Sequence, residues 1–243
     1  MNTWCSCKLE FTGPAENYSA GLHICELIDN SEYMALESIL SAEERKYYAT
    51  LKFEKRIKSF LLGRYSAKKA ISINCEVEDL ANIEVSNGYF NHPCVKPCCG
   101  QNVQVSITHC DNIGGAVAYT EAFPMGLDIE KIDVHTVEVI KTQITTNEMG
   151  IINTGSIDFN ILYTIIWTSK EALSKVLRTG FMVGAHILEI EKLEFWGSFY
   201  LVEFKNFKQY HSVSYVFKEH VCSIVLADRY MPNINGSLIL EQI

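Results

Sequence analysis

The chain has 243 residues, 48% hydrophobic and 21% charged, a balance that suits a soluble globular protein with room for one large domain or two small ones. Its formal net charge of −8 excludes a surface that coats nucleic acid, because phosphate binding needs a basic footprint. Apolar stretches such as residues 160–167 fall short of the roughly 20 residues of a membrane span, and the first residues carry no basic leader with an apolar run, so a cytoplasmic location is expected.

In chain order, residues 22–28, Leu-His-Ile-Cys-Glu-Leu-Ile, read as an opening strand. Ser41 can cap a helix whose first turn carries Glu43 and Glu44, and the helical pattern runs to about residue 73 with a break near 52–54. Tyr47, Leu51, Ile57, Phe60, Leu61, Tyr65 and Ala70 supply its apolar side. Strand-like runs follow over 83–86, 103–108 and 115–119. Phe123-Pro124 marks a boundary, giving an N-terminal half over 1–123 and a C-terminal half over 124–243. The second half opens with a strand over 125–130, then helical patches over 134–142 and 146–152. A strong helix spans 158–177, ended by Arg178-Thr179-Gly180 in the manner of a glycine cap. Strands over 197–204, 210–217 and 221–227 close the chain, so each half reads as helices followed by antiparallel strands.

Nine cysteines, an odd number, argue for reduced thiols rather than a disulfide framework. Cys5, Cys7, Cys94, Cys98 and Cys99 could offer zinc ligands, but their spacing fits no paired signature, so buried or incidental thiols are expected. Basic residues concentrate at Arg45, Lys46, Lys52, Lys55, Arg56, Lys58, Arg64, Lys68 and Lys69. They form either a solvated helix face or a site for a phosphorylated ligand or acidic partner.

Three features carry chemistry. In Gly126-Leu127-Asp128-Ile129-Glu130, strand periodicity points Asp128 and Glu130 to one face. Two carboxylates about 4 Å apart at an effective dielectric near 20 repel by about 4 kcal/mol, which a divalent cation or water must relieve. In Trp167-Thr168-Ser169-Lys170-Glu171-Ala172-Leu173-Ser174-Lys175, the residues Trp167, Glu171 and Lys175 lie along one helix side. In Ser106-Ile107-Thr108-His109, a hydroxyl beside an imidazole at a strand end can donate to phosphate oxygens. Taken singly, these are an exposed edge, a surface ion pair beside a core tryptophan and a structural histidine.

Taken in this order, they resemble the Sfp-type 4'-phosphopantetheinyl transferase family, with its Gly-(Ile/Val/Leu)-Asp-x-Glu strand and Trp-x-x-Lys-Glu-(Ala/Ser)-x-x-Lys helix. Phe60-Leu61-Leu62-Gly63-Arg64-Tyr65-Ser66-Ala67-Lys68-Lys69 is similar to that family's basic N-terminal helix, and the resemblance spans about residues 40–227. Three positions depart from the pattern. Asn91-His92-Pro93 stands for Gly-Lys-Pro, Ser106 replaces an asparagine, and Tyr47 takes a place that is basic in many relatives. These changes bear on 3'-phosphate binding and leave the metal ligands intact.

The resemblance implies an α+β fold of two similar halves in a pseudo-twofold arrangement, with coenzyme A in the cleft between them. It implies Mg²⁺ on Asp128, Glu130 and Glu171, and transfer of phosphopantetheine from coenzyme A to a serine of an acyl-, aryl- or peptidyl-carrier protein. Glu171 would take the serine proton, Lys175 would meet the departing 3',5'-ADP, Thr108 and His109 would hold its phosphates, and Arg56, Lys58 and His92 would meet the 3'-phosphate. A monomer is implied, with no nucleic-acid or membrane partner. The alternative is a non-catalytic coenzyme A or carrier-binding module on the same fold. A nucleotide phosphotransferase ranks last, since no glycine-rich phosphate loop is present.

Overall fold

The computed structural model describes residues 1–12, 16–88, 92–100, 102–154 and 157–227; Asn91 and the tail from Met231 lie outside these residues. The chain divides into two compact units, Met1–Pro124 and a second from Met125 onward. Both mix helix and sheet, which makes the fold α+β.

The first unit opens with a hairpin of β1 (Asn2–Thr12) and β2 (Asn17–Glu26). α1 (Asn30–Ala35) starts on an Asp29 capping box that Glu32 completes. α2 (Ala42–Tyr48) starts on the Ser41 cap with Glu44 returning the bond, and α3 (Glu54–Cys75) follows the expected break. β3 (Val85–Asn87) and β4 (Pro93–Val95) form a small ladder. β5 (Val103–Cys110) and β6 (Ile113–Thr120) complete a four-stranded antiparallel sheet of order β1-β2-β6-β5. α3 lies across β2, β6 and β5, burying Leu61, Leu62, Ala67, Ala70 and Ile71. Gly21 of β2 permits the closest approach, because a Cβ there would sit 2.1 Å from the Ala70 carbonyl oxygen.

The second unit begins with β7 (Gly126–Lys131) and passes through α4 (Val134–Lys141), α5 (Thr146–Thr154) and α6 (Phe159–Val176). It finishes with β8 (Ile190–Phe195), β9 (Tyr200–Phe204), β10 (Tyr210–Phe217) and β11 (His220–Ala227), in the order β7-β11-β10-β9-β8. Leu162, Ile165, Ile166 and Leu173 of α6 pack with Val202, Phe204, Val221 and Val225. Beneath the helix, Thr168 and Ser169 bond with Ser212, Ser214 and Ser223 of the sheet. Small hydroxyl side chains satisfy one another there and let helix and sheet come close. Gly126 repeats the device of Gly21: a Cβ on it would lie 2.0 Å from the Ala172 carbonyl oxygen.

Two sequence expectations need correcting. β1, which no pattern announced, forms a complete edge strand, and β8 does the same in the second sheet. The end of α6 is not a glycine cap. Arg178 takes the left-handed conformation at φ 55°, and Gly180 begins a 3-10 turn. The Arg178 and Thr179 N–H groups donate to the Lys175 and Ser174 carbonyls, so a Schellman motif holds the arginine in a region glycine usually takes.

Candidate functional site

The second unit gathers the acidic residues. Asp128 pairs in register with Ser223 on β11 and is 2% exposed, while Glu130 lies two residues on along β7. Gly126 brings the backbone of α6 onto this strand, so Glu171, the residue before Ala172, meets the same face. One carboxylate oxygen from each of Asp128, Glu130 and Glu171 lies within 4.8 Å of the other two. The strand-face and helix-side arithmetic of the sequence is therefore realised, and residues 43 positions apart converge.

The electrostatics record the crowding. Burial, joined by the charge of Asp128, pushes Glu171 up to about 7. Lys175 and the Trp167 indole N–H, which donates to Glu171, oppose this without cancelling it. Trp167, Glu171 and Lys175 thus act together on one helix side. Lys175 Nζ donates to Asp128 Oδ1 and to the Leu127 carbonyl, both at 2.8 Å, which leaves a third N–H on a side chain 26% exposed. Three carboxylates offset by one ammonium leave an excess of negative charge, and the all-oxygen donor set fits a hard divalent cation such as Mg²⁺.

Lys170, the remaining charged residue of the helix motif, points elsewhere. It is fully buried and donates to the equally buried Glu148 at 2.8 Å and to the Gln143 carbonyl. Glu148 also accepts from the Thr145 and Ile190 N–H groups, so the pair ties α5 and β8 to α6. Its role is to hold the helix that presents Glu171.

The first unit holds the expected phosphate-facing residues, some together and some apart. His109 ends β5 exposed, and its Nε2 lies 2.5 Å from Ser59 Oγ on α3; Thr108 beside it is buried. Arg56 shares a 130 Å³ pocket with Ser59, Tyr47, Phe60, Arg64 and Asn87. Lys58 is not drawn into it: its ammonium pairs with Glu54 at 2.8 Å and lies over the Tyr33 ring. The His92 ring lies against Gly88 and bonds the Cys94 thiol at 3.3 Å.

A larger pocket of about 430 Å³ opens between α2, α3 and β3, lined by Tyr47, Phe60, Arg64, Ser86, Asn87 and Gly88 among others. Arg64 is its centre. The guanidinium stacks 4.9 Å from the Phe60 ring centroid, donates to Asn87 at 2.9 Å and lies 3.5 Å from Glu44. The basic run is therefore not simply a solvated face, since Arg64 and Lys68 are both buried against Glu44. Sequence reasoning named Arg64 as one charge of many and missed Ser59 and Asn87; a buried-position spacing along α3 was the available signal.

Residues 124–225 match the family model of the 4'-phosphopantetheinyl transferase superfamily. The match is confined to that stretch, nearly all of it in the second unit. Asp128, Glu130, Glu171 and Lys175 all fall within it. No curated protein sequence matches the chain. Among solved structures, a holo-(acyl-carrier-protein) synthase from Bacillus anthracis in complex with CoA (3',5'-ADP) is 26% identical with a TM-score of 0.37, covering 46% of this chain and 96% of that one. The Helicobacter pylori holo-[acyl-carrier-protein] synthase in complex with coenzyme A is 18% identical with a TM-score of 0.33, covering 42% and 99%. The Thermotoga maritima holo-[acyl-carrier-protein] synthase is 19% identical with a TM-score of 0.34, covering 53% and 74%. The likeness to all three is partial.

Proposed function

We propose that the protein transfers the 4'-phosphopantetheine group of coenzyme A to a serine of an acyl- or peptidyl-carrier protein and releases 3',5'-ADP. The observation that carries this reading is the carboxylate trio of Asp128, Glu130 and Glu171, within 4.8 Å of one another inside the stretch that matches the transferase superfamily.

Asp128, Glu130 and Glu171 would hold Mg²⁺, which would supply charge neutralisation at the pyrophosphate of coenzyme A. Phosphoryl transfer depends mostly on positioning and electrostatics, and the side chains divide that work. Glu171 takes the proton from the carrier serine, directly or through water; burial and Asp128 raise its basicity towards neutral pH, where a general base is most effective. Lys175 fixes Asp128 and turns its third N–H towards the leaving 3',5'-ADP. Thr108, His109 and Arg56 serve the phosphates of coenzyme A, with Ser59 setting the orientation of the imidazole. The ion pair of Lys58 with Glu54 argues for a lesser share in 3'-phosphate binding, and His92 stands beside the pocket rather than in it.

Carrier proteins are generally acidic, as is this chain, so docking relies on a local basic or apolar patch, and the Michaelis constant for the carrier then reports on salt. The direct test is incubation with coenzyme A, Mg²⁺ and several apo carrier proteins, with and without chelator. A phosphopantetheine mass gain on the carrier serine that chelator abolishes is expected. If coenzyme A binds but no carrier gains mass, the protein is the non-catalytic binding module instead.

A further inference from the structure

Among the described residues, a second cluster of ligating groups lies in the first unit. Cys75 is the last residue of α3, and Cys98 and Cys99 sit in the loop that follows β4. Their three Sγ atoms lie within 4.8 Å of one another, with Cys75 and Cys99 at 2.6 Å. All three are half-buried beside Val77, Leu80 and Val95 at the edge of the core under α3. Cys94, which the sequence grouped with Cys98 and Cys99, turns instead to His92.

We propose that Cys75, Cys98 and Cys99 form a thiolate site for one soft d¹⁰ cation, Zn²⁺, with solvent in the fourth position. The site would pin the loop after β4 to the end of α3. Zinc–sulfur bonds of about 2.3 Å place tetrahedral sulfurs about 3.8 Å apart, inside the span these atoms already occupy. Thiolates select Zn²⁺ over the hard Mg²⁺ that the carboxylates prefer, so the two clusters do not compete. The place favours a cation: Cys75 ends a 22-residue helix, where the last carbonyls carry about half a negative charge. Metal binding replaces the thiol protons, which pass to solvent.

The test uses the full chain, reduced under anaerobic conditions and stripped of metal. Addition of Co²⁺ should give sulfur-to-cobalt charge-transfer absorption, a signature that carboxylate ligands do not produce. Zn²⁺ should displace the cobalt at about one equivalent per chain. Cys98→Ser and Cys99→Ser, both in a surface loop, should each lower zinc affinity by at least tenfold, while Cys94→Ser should bind as the parent does. No charge-transfer band in the reduced protein, or an equal loss in Cys94→Ser, overturns the proposal. Circular dichroism of each variant separates lost ligands from lost fold.

Discussion

Gly126→Ala gives the sharpest test of how the fold makes the site. A Cβ at this position would sit 2.0 Å from the Ala172 carbonyl oxygen, whereas real Cβ atoms essentially never come within 3.0 Å of such an atom. β7 and α6 must therefore part by about 1 Å, and neither surface is a side chain that can swing aside. Overpacking of this kind costs about 1–3 kcal/mol, which lowers the melting temperature of a domain near 100 residues by roughly 5–20 °C. The same displacement moves Asp128 and Glu130 away from Glu171. Misplacement by about 1 Å costs on the order of 100-fold in a positioned reaction, so transfer should fall by about that factor per folded molecule. Gly21→Ala meets the Ala70 carbonyl at 2.1 Å and should destabilise the first unit similarly. It should leave metal affinity unchanged, measured with Mn²⁺ as a paramagnetic stand-in. A Gly126→Ala protein with the parent's melting temperature and Mn²⁺ affinity would refute the claim that helix–strand contact builds the cluster.

Three further outcomes are expected. Glu171 titrates near 7 folded against 4.5 in the unfolded chain, so the folded state holds the extra proton and metal-free stability falls as pH rises from 4.5 to 7, by up to about 3 kcal/mol. Glu171→Gln should remove that slope, melt higher than the parent at pH 7.5 without Mg²⁺, and lose both transfer and stabilisation by Mg²⁺. His23 shows the opposite sign of shift: burial and then Lys69 bring it down to about 4, so stability is lost as pH falls from 6.5 to 4, by up to about 3 kcal/mol. His23→Gln should flatten that limb in a urea titration at several pH values. Lys170→Met strands the buried Glu148 carboxylate and should cost about 3–5 kcal/mol, read by thermal or denaturant unfolding.

What the sequence disclosed and what it hid divide along physical lines. The acidic cluster was legible because period-2 alternation in Gly126-Leu127-Asp128-Ile129-Glu130 and period-3.6 spacing of Trp167, Glu171 and Lys175 are local rules. β1 was not, since a register shift between Thr3 and Cys5 breaks its alternation. β8 was hidden by Glu191, Lys192 and Glu194, charges that an exposed edge strand tolerates and that read as surface helix or loop. In α3, Arg64 and Lys68 looked like solvated charges because their common partner, Glu44, lies about twenty residues away in α2. Cys75 gave no sign of Cys98 and Cys99 for the same reason: only the packing of β4 and its loop near the helix end brings them together.

The two units show how little of this chemistry belongs to the scaffold. Each contains a strand, a long helix and a closing hairpin whose last strand pairs back on the first: β2, α3, β5 and β6 in one, β7, α6, β10 and β11 in the other. Each strand carries a glycine that admits the helix backbone, and in each the residue two positions after that glycine interacts with the residue just before the touching alanine. In the second unit that pair is Asp128 and Glu171; in the first it is His23 and Lys69. Two carboxylates forced together call for a cation. A lysine beside a buried imidazole only keeps the imidazole neutral, and Ser6 and the edge of Tyr65 complete its surroundings. On the proposed function the same strand–helix contact serves packing in the first unit and, with Glu130, a metal site in the second, so a Mg²⁺ requirement should follow Asp128 and Glu171 and be indifferent to His23 and Lys69.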